Sequence, residues 1–259
     1  MKRHSIHIGT SGWAYKHWRG TFYPLDVKVK DQFSYYQKMF NTVEINNTFY
    51  GMPADATFQN WESQVSDDFV YIIKANRFIT HLKKLQDPED SLLIFMEKVK
   101  FLEKKLGAVL FQLPPSLKLD LELLEDFLLA LSTKNRYVFE FRNTSWYTPE
   151  TYQLLEKYNC AFCIYELAGH ISPIQVTADF VYVRLHGPGH SKYQGSYSTE
   201  VLEEWADQCS EWLKTKDVFV YFDNDEKGYA AFNALELKKL ILNKSFETEK
   251  TEDYTSENK

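Results

Sequence analysis

Eight short apolar runs recur along the chain, over residues 6–12, 42–50, 69–77, 107–115, 136–143, 160–167, 180–187 and 217–225. Nearly every one ends in polar, charged or aromatic residues. Between most of them the apolar positions switch to 3–4 spacing, the period of an amphipathic helix. Helices are expected over 30–40, 57–65, 88–105, 119–131, 149–158, 199–214 and 228–242, with only a short crossover, 171–177, after the sixth run. Pro88 suits a first helical turn, Leu92, Leu93, Phe95, Met96, Val99 and Leu102 mark a buried stripe behind it, and Thr199 marks another helix start. Strand and helix alternating to eight strands predict an α/β protein, a single closed (β/α)8 TIM barrel over residues 1–243. Residues 244–259 are acid-rich and short of apolar side chains, the pattern of a short, flexible, disordered C-terminal tail.

The same alternation sorts side chains between the two faces of each strand. Glu44 opposes Val43 and Ile45; Lys74 opposes Ile73 and Ala75; Gln112 opposes Phe111 and Leu113; Glu140 opposes Phe139 and Phe141; Arg184 opposes Val183 and Leu185. The face toward the helices must be apolar, so the polar set points into the barrel. Asn46, Asn76, Arg142 and His186 fall one layer nearer the mouth. Barrel interiors are normally filled by Val, Ile and Leu, and a charged interior is the chemical anomaly of this chain. Buried charges must pair with one another or meet a ligand. An internal ion network that only fixes packing is one reading; a functional site at the strand C-terminal ends is the other.

Net charge over the 259 residues is −6, which argues against a binder of DNA irrespective of sequence but leaves room for a local basic pocket. Aromatic residues make up 16% of the chain, and Trp13, Tyr15, Trp18, Tyr50, Trp146, Tyr193, Tyr197 and Tyr221 are expected near the rim. Flat rings beside cations suit stacking on sugars or nucleobases; packing of the loop layer on itself is the alternative. Three cysteines, Cys160, Cys163 and Cys209, are too few and wrongly placed for a zinc or redox site, because odd spacing on a strand sends Cys160 and Cys163 to opposite faces. Sparse thiols and the absence of a signal peptide or long apolar span point to a cytoplasmic protein with no membrane partner.

The segments Gly9-Thr10-Ser11-Gly12-Trp13, Glu44-Ile45-Asn46-Asn47-Thr48-Phe49-Tyr50, Lys74-Ala75-Asn76-Arg77, Gln112-Leu113-Pro114-Pro115, Glu140-Phe141-Arg142 and Arg184-Leu185-His186-Gly187 occur in that order. Together with the stretch from Asn224 through Gly228 to Asn233-Ala234, they resemble the YecE-like family, catalogued as domain of unknown function 72. The resemblance runs from the first strand through the last helix. It implies a single TIM barrel without an established activity, and it supplies no catalytic residues.

The chemistry therefore rests on the residues. The loop from Gly187 to Tyr197 is rich in glycine and carries Lys192, a composition that suits phosphate through backbone N–H groups. Glu44 and Glu140 could serve as paired carboxylates in glycosidic chemistry, but the neighbouring cations would hold both ionised. No cofactor is predicted. His and carboxylate residues lack a compact metal-binding spacing, and a divalent metal is left open because barrels assemble ligands from distant strands. The favoured expectation is a phosphoester hydrolase acting on a small anionic ligand, nucleotide, sugar phosphate, or single-stranded or damaged nucleic acid. Arg184, Arg142 and Lys74 would bind negative charge, Glu140 or Glu44 would be the general base, and His186 a second acid–base group. Asn46, Asn76, Gln112, Trp146, Tyr193, Tyr221 and Asn224 would hold the ligand. The alternative is a non-catalytic ligand-binding or interaction barrel whose interior charges are structural.

Overall fold

A computed structural model describes the backbone of residues 4–256 and the side chains through Lys244. Eight parallel strands form a nearly closed barrel flanked by helices: β1 (Ile6–Thr10), β2 (Thr42–Ile45), β3 (Val70–Lys74), β4 (Leu106–Leu113), β5 (Tyr137–Phe141), β6 (Ala161–Leu167), β7 (Phe180–Leu185) and β8 (Asp217–Phe222). Around the ring the hydrogen-bonded order is β1-β8-β7-β6-β5-β4-β3-β2. The helices are α1 (Gln32–Tyr36), α2 (Asn47–Tyr50), α3 (Asp55–Ser63), α4 (Pro88–Val99), α5 (Leu121–Leu129), α6 (Pro149–Lys157), α7 (Thr199–Leu213) and α8 (Tyr229–Ser256). The tail expected over 244–259 overlaps α8, whose backbone runs to Ser256; the side chains after Lys244 and all of residues 257–259 lie outside the described residues. No helix among the described residues is long and apolar enough to cross a membrane.

The barrel closes between β1 and β2 through side chains rather than a backbone ladder. The Tyr36 hydroxyl accepts from the Thr10 N–H at 3.1 Å and donates to the Thr42 carbonyl at 3.0 Å, standing where a direct strand–strand bond would be. Gly9 is required here, since a Cβ on it would lie 2.6 Å from the Thr42 carbonyl oxygen. Across the same seam the Ser11 hydroxyl donates to Glu44 Oε1 at 2.7 Å.

Strand alternation divides the core in two. The larger apolar cluster lies between the strands and the helices and takes Val43, Ile73, Phe111, Phe139, Val183 and their like; the smaller one fills the lower barrel with Ile72, Leu110, Val138, Phe180, Tyr182 and Tyr221. Cys160 belongs to the outer cluster and Cys163 to the inner one, as odd spacing requires, and all three cysteines are free and buried.

Several boundaries differ from the sequence reading. β2 stops at Ile45, and the expected strand to residue 50 turns into α2, because Thr48 folds back to donate to the carbonyls of Ile45 and Lys74. The expected helix 88–105 ends at Val99 and tightens into a 3-10 stretch, Lys100–Lys105, with Glu103 at φ +48. α7 is capped by Ser198, whose hydroxyl accepts from the Val201 N–H, rather than by Thr199. The crossover after β6 is short and without a helix, as expected, and His170–Ile171 pairs antiparallel with the end of β6.

Candidate functional site

Parallel register brings the inward polar residues to one level at the C-terminal end of the barrel. Gln112 stands opposite Glu140, and Tyr165 opposite Arg184. At the centre is Arg184, only 1% exposed. Its Nε and Nη2 donate to the two oxygens of Glu44 at 2.9 and 2.6 Å, and its Nη1 donates to Glu140 Oε2 at 2.6 Å. Glu44 also accepts from the Tyr182 hydroxyl at 2.6 Å, besides Ser11. The remaining oxygen of Glu140 accepts from Arg142 Nε.

Burial alone would raise both carboxyls, but charge and hydrogen bonding outweigh it. Arg184, Tyr182 and Ser11 hold Glu44 below the usual carboxylate range. Arg142, Arg184, His186 and Lys74 hold Glu140 well below it. His186 is fully spent as well: Nδ1 lies 3.0 Å from Asp223 Oδ2, and Nε2 lies 3.3 Å from Arg142 Nη2. Arginine can only donate, so Nε2 accepts and Nδ1 carries the proton. Burial, followed by the charge of Arg184, lowers the His186 ring below the usual histidine range.

Above this network lies a cavity of about 480 Å³. Its walls include Asn46, Lys74, Gln112, Arg142, Arg184 and Tyr193, with Tyr15, His17, Tyr50, Asp223, Asp225 and Glu226 toward the rim. Lys74 Nζ donates to Gln112 Oε1 at 2.6 Å and sits 4.5 Å from the Phe49 ring centre, which leaves two ammonium protons uncommitted. Burial and then the charge of Arg184 lower Lys74 from 10.5 to about 8, against the pull of Glu140, Glu44 and Asp223. Arg142 spends Nε on Glu140, Nη2 on His186 and its flat face on Tyr165, 4.6 Å away, so Nη1 has no hydrogen-bond partner among the described residues. Asn46 Oδ1 is buried without a partner. Asp225 accepts from Trp18 Nε1 and lies 2.9 Å from His17 Nε2; burial, with Asp223 adding, raises its carboxyl to about 6 against those two bonds.

The structure thus brings Glu44, Lys74, Gln112, Glu140, Arg142, Arg184 and His186 together, but in two different states. Glu44, Glu140 and His186 do not line the cavity, and buried cations hold both carboxyls below their usual range, which removes the physical basis for either glutamate as general base. Four ligand-holding expectations are corrected. Trp146 is buried and donates to the Leu117 carbonyl. Tyr221 points inward one layer too low, buried beside Thr42. Asn76 is used by the backbone on both ends of its amide, at Thr48 and Phe78. Asn224 anchors Gly195 and Asn233 from a buried position away from the cavity.

The glycine-rich loop also differs from a phosphate cradle. Gly187 N–H donates to the Tyr197 hydroxyl and Gly189 N–H to the Gln194 carbonyl, so these amides are consumed within the loop. Gly187 adopts φ +104, and a Cβ there would lie 2.2 Å from the Gln194 carbonyl oxygen. What the loop offers the mouth is Tyr193, held at φ +67, and Lys192. Most of the expected rim rings pack against other rings, as Tyr15 does on Trp18, Trp13 on Phe33 and Tyr197 on Phe222, leaving Tyr50 and Tyr193 as the exposed ones. The sequence offers Asp223 and Asp225 only as candidate metal ligands and gives no role to His17. Parity along β8 places Asp223 inward, whereas no periodicity signals His17 on its loop. Among the described residues no three His, Cys, Asp or Glu side chains form a metal-binding group.

Fold and mouth together define a single (β/α)8 barrel with a charged interior layer beneath an open, cation-bearing cavity. The chain belongs to the family described as protein of unknown function DUF72, whose model matches residues 7–255. It is 25% identical to UPF0759 protein YunF of Bacillus subtilis (strain 168) over 91% of this chain and 94% of that protein. UPF0759 protein YecE of Escherichia coli (strain K12) is 27% identical over 55% of this chain and 50% of its own length. A crystal structure of a DUF72 family protein from Thermotoga maritima superposes with TM-score 0.83 at 29% identity, covering 92% of this chain and 99% of that one. A DUF72 family protein from Enterococcus faecalis shares the fold alone, with TM-score 0.80 at 21% identity over 91% and 95% of the two chains.

Proposed function

We propose that the barrel mouth binds a small phosphate-bearing anion and hydrolyses its phosphoester. The observation that carries this reading is that Lys74 and Arg142 keep donors free toward a cavity of about 480 Å³, while the charges beneath them are spent on one another. A cavity of this size falls in the range of small-ligand sites, roughly 300–1,000 Å³. Asn46 Oδ1 would accept from a ligand hydroxyl or amine. Arg184 holds Glu44 and Glu140 ionised, and through Glu140 it orients Arg142.

Two titratable groups facing the cavity are shifted toward neutrality, Asp225 to about 6 and Lys74 to about 8. At pH 7 the first is mainly a carboxylate and the second mainly an ammonium, which suits proton transfer in opposite directions. Asp225 would take a proton from the attacking water. As the phosphorus–oxygen bond breaks, Lys74 would return one to the leaving oxygen. Three buried free thiols accord with a reducing compartment, the cytoplasm in this reading.

The test is calorimetric titration with inorganic phosphate and glycerol phosphate, alongside release of phosphate from the latter. Lys74→Met is expected to weaken binding ten- to a hundred-fold without lowering the melting temperature. Tight binding without turnover at any pH from 5 to 9 would replace hydrolysis with the non-catalytic binding barrel. Wild-type affinity in Lys74→Met and Arg142→Met would overturn the anion site itself.

A further inference from the structure

The cavity above Lys74 does not end at Arg142. A second one, of about 340 Å³, adjoins it and shares Gln112, Arg142 and Tyr193 as walls. The two differ in kind. The first has Asp223, Asp225 and Glu226 among its walls, whereas no carboxylate lines the second. In their place stand the rings of Tyr165 and His170 with Pro115 and Leu167, and Lys192 reaches it from the exposed loop.

These walls are fixed before any ligand arrives. The Tyr165 hydroxyl donates to the Phe141 carbonyl at 3.1 Å. The Tyr147 hydroxyl lies 3.0 Å from that of Tyr165 and 3.1 Å from His170 Nε2, and the Tyr147 and His170 rings are parallel to within 8°. Flat walls held this way take up a flat group at little entropic cost. An acyl chain is a poor match, because Arg142 and Lys192 line the space it would fill. A second phosphate is a poor match too, since rings, Pro115 and Leu167 supply much of the wall. Cations beside ring faces favour a π-system.

We propose that the second cavity seats a planar ring, so that the ligand has two parts: a phosphate on Lys74 and Arg142, and an aryl or heteroaryl group beyond Arg142. This inference rests on the anion site argued above. Arg142 is the hinge between the parts, because its side chain borders both cavities while Nη1 has no hydrogen-bond partner among the described residues. Tyr193 closes the same boundary from the loop side.

The experiment compares four probes by calorimetry: phenyl phosphate, adenosine monophosphate, glycerol phosphate and inorganic phosphate. Each is titrated into the wild type, into Leu167→Trp, which fills the second cavity, and into His170→Ala, which removes a wall without adding bulk. The ring-bearing probes are expected to bind the wild type at least ten-fold more tightly than glycerol phosphate. Leu167→Trp should erase that advantage and leave the ringless probes unchanged, and His170→Ala should reduce it several-fold. Equal affinity for ringed and ringless phosphates in the wild type would overturn the two-part ligand and leave the anion site standing. A ring preference undiminished in both variants would overturn the assignment to this cavity. Failure of all four probes to bind would overturn both readings.

Discussion

The barrel mouth carries two layers of charge built from the same kinds of side chain. In the lower one Arg184 faces Glu44 and Glu140, with every carboxylate oxygen accepting a hydrogen bond. In the upper one Lys74 and Arg142 retain free donors, and Asn46 keeps an unpartnered acceptor. Depth alone does not separate the layers, since Lys74 is itself largely buried. What separates them is whether hydrogen-bonding capacity is used up. A saturated set is a scaffold; an unsaturated one beside an open cavity is a site.

The largest way to break the comparison is Arg184→Met, which leaves Glu44 buried without its counter-charge and Glu140 with Arg142 alone. Removing one partner of a buried ion pair costs about 3–5 kcal/mol, so urea denaturation should show a heavily destabilised or unfolded protein. A variant as stable as the wild type would show that the lower layer is not a scaffold. Glu44→Gln sharpens the contrast on a smaller scale. It weakens hydrogen bonds to a charged group, a loss of about 1.5–3 kcal/mol in stability, while phosphate affinity at the upper layer should stay within about two-fold. An affinity loss exceeding the stability loss would merge the two layers into one functional unit.

The layers also respond to opposite ends of the pH scale. Glu44 and Glu140 have folded values below the ordinary 4.5, so their contribution is complete above that pH. It is lost as the pH falls from 4.5 toward the folded values. Lys74 has a folded value of about 8 against 10.5. Between those two values the unfolded chain binds more protons, so this group makes stability rise with pH. Anion affinity moves the other way, declining above about pH 8 as the ammonium is lost. Parallel denaturation and phosphate titrations from pH 3 to 10 check both limbs, and affinity that is flat across pH 8 would remove Lys74 from the anion site.

Much of this arrangement is legible in the sequence, because a strand has only two faces. Parity placed Glu44, Lys74, Gln112, Glu140 and Arg184 inside the barrel without any knowledge of neighbours. It does not report depth: Tyr221 is inward, yet buried one level below the cavity. Nor does it show which charge is spent, since pairing depends on register between strands far apart in the chain, as with Glu44 and Arg184. Loops carry no period at all. Trp146 folds under the rim to reach Leu117, and His17 reaches the cavity from a segment whose composition gives no sign of it.

The side-chain seam between β1 and β2 ties ring closure to the chemistry of the mouth. Ser11 crosses that seam to the same carboxylate that Arg184 grips from β7, so strands at the start and end of the chain meet on Glu44. Until both termini of the barrel have docked, Arg184 lacks its bidentate partner and Glu140 has only Arg142 to steady it. A nascent chain that has not yet released β7 therefore leaves Glu44 without its counter-charge, and the scaffold beneath the mouth is complete only once Arg184 has docked.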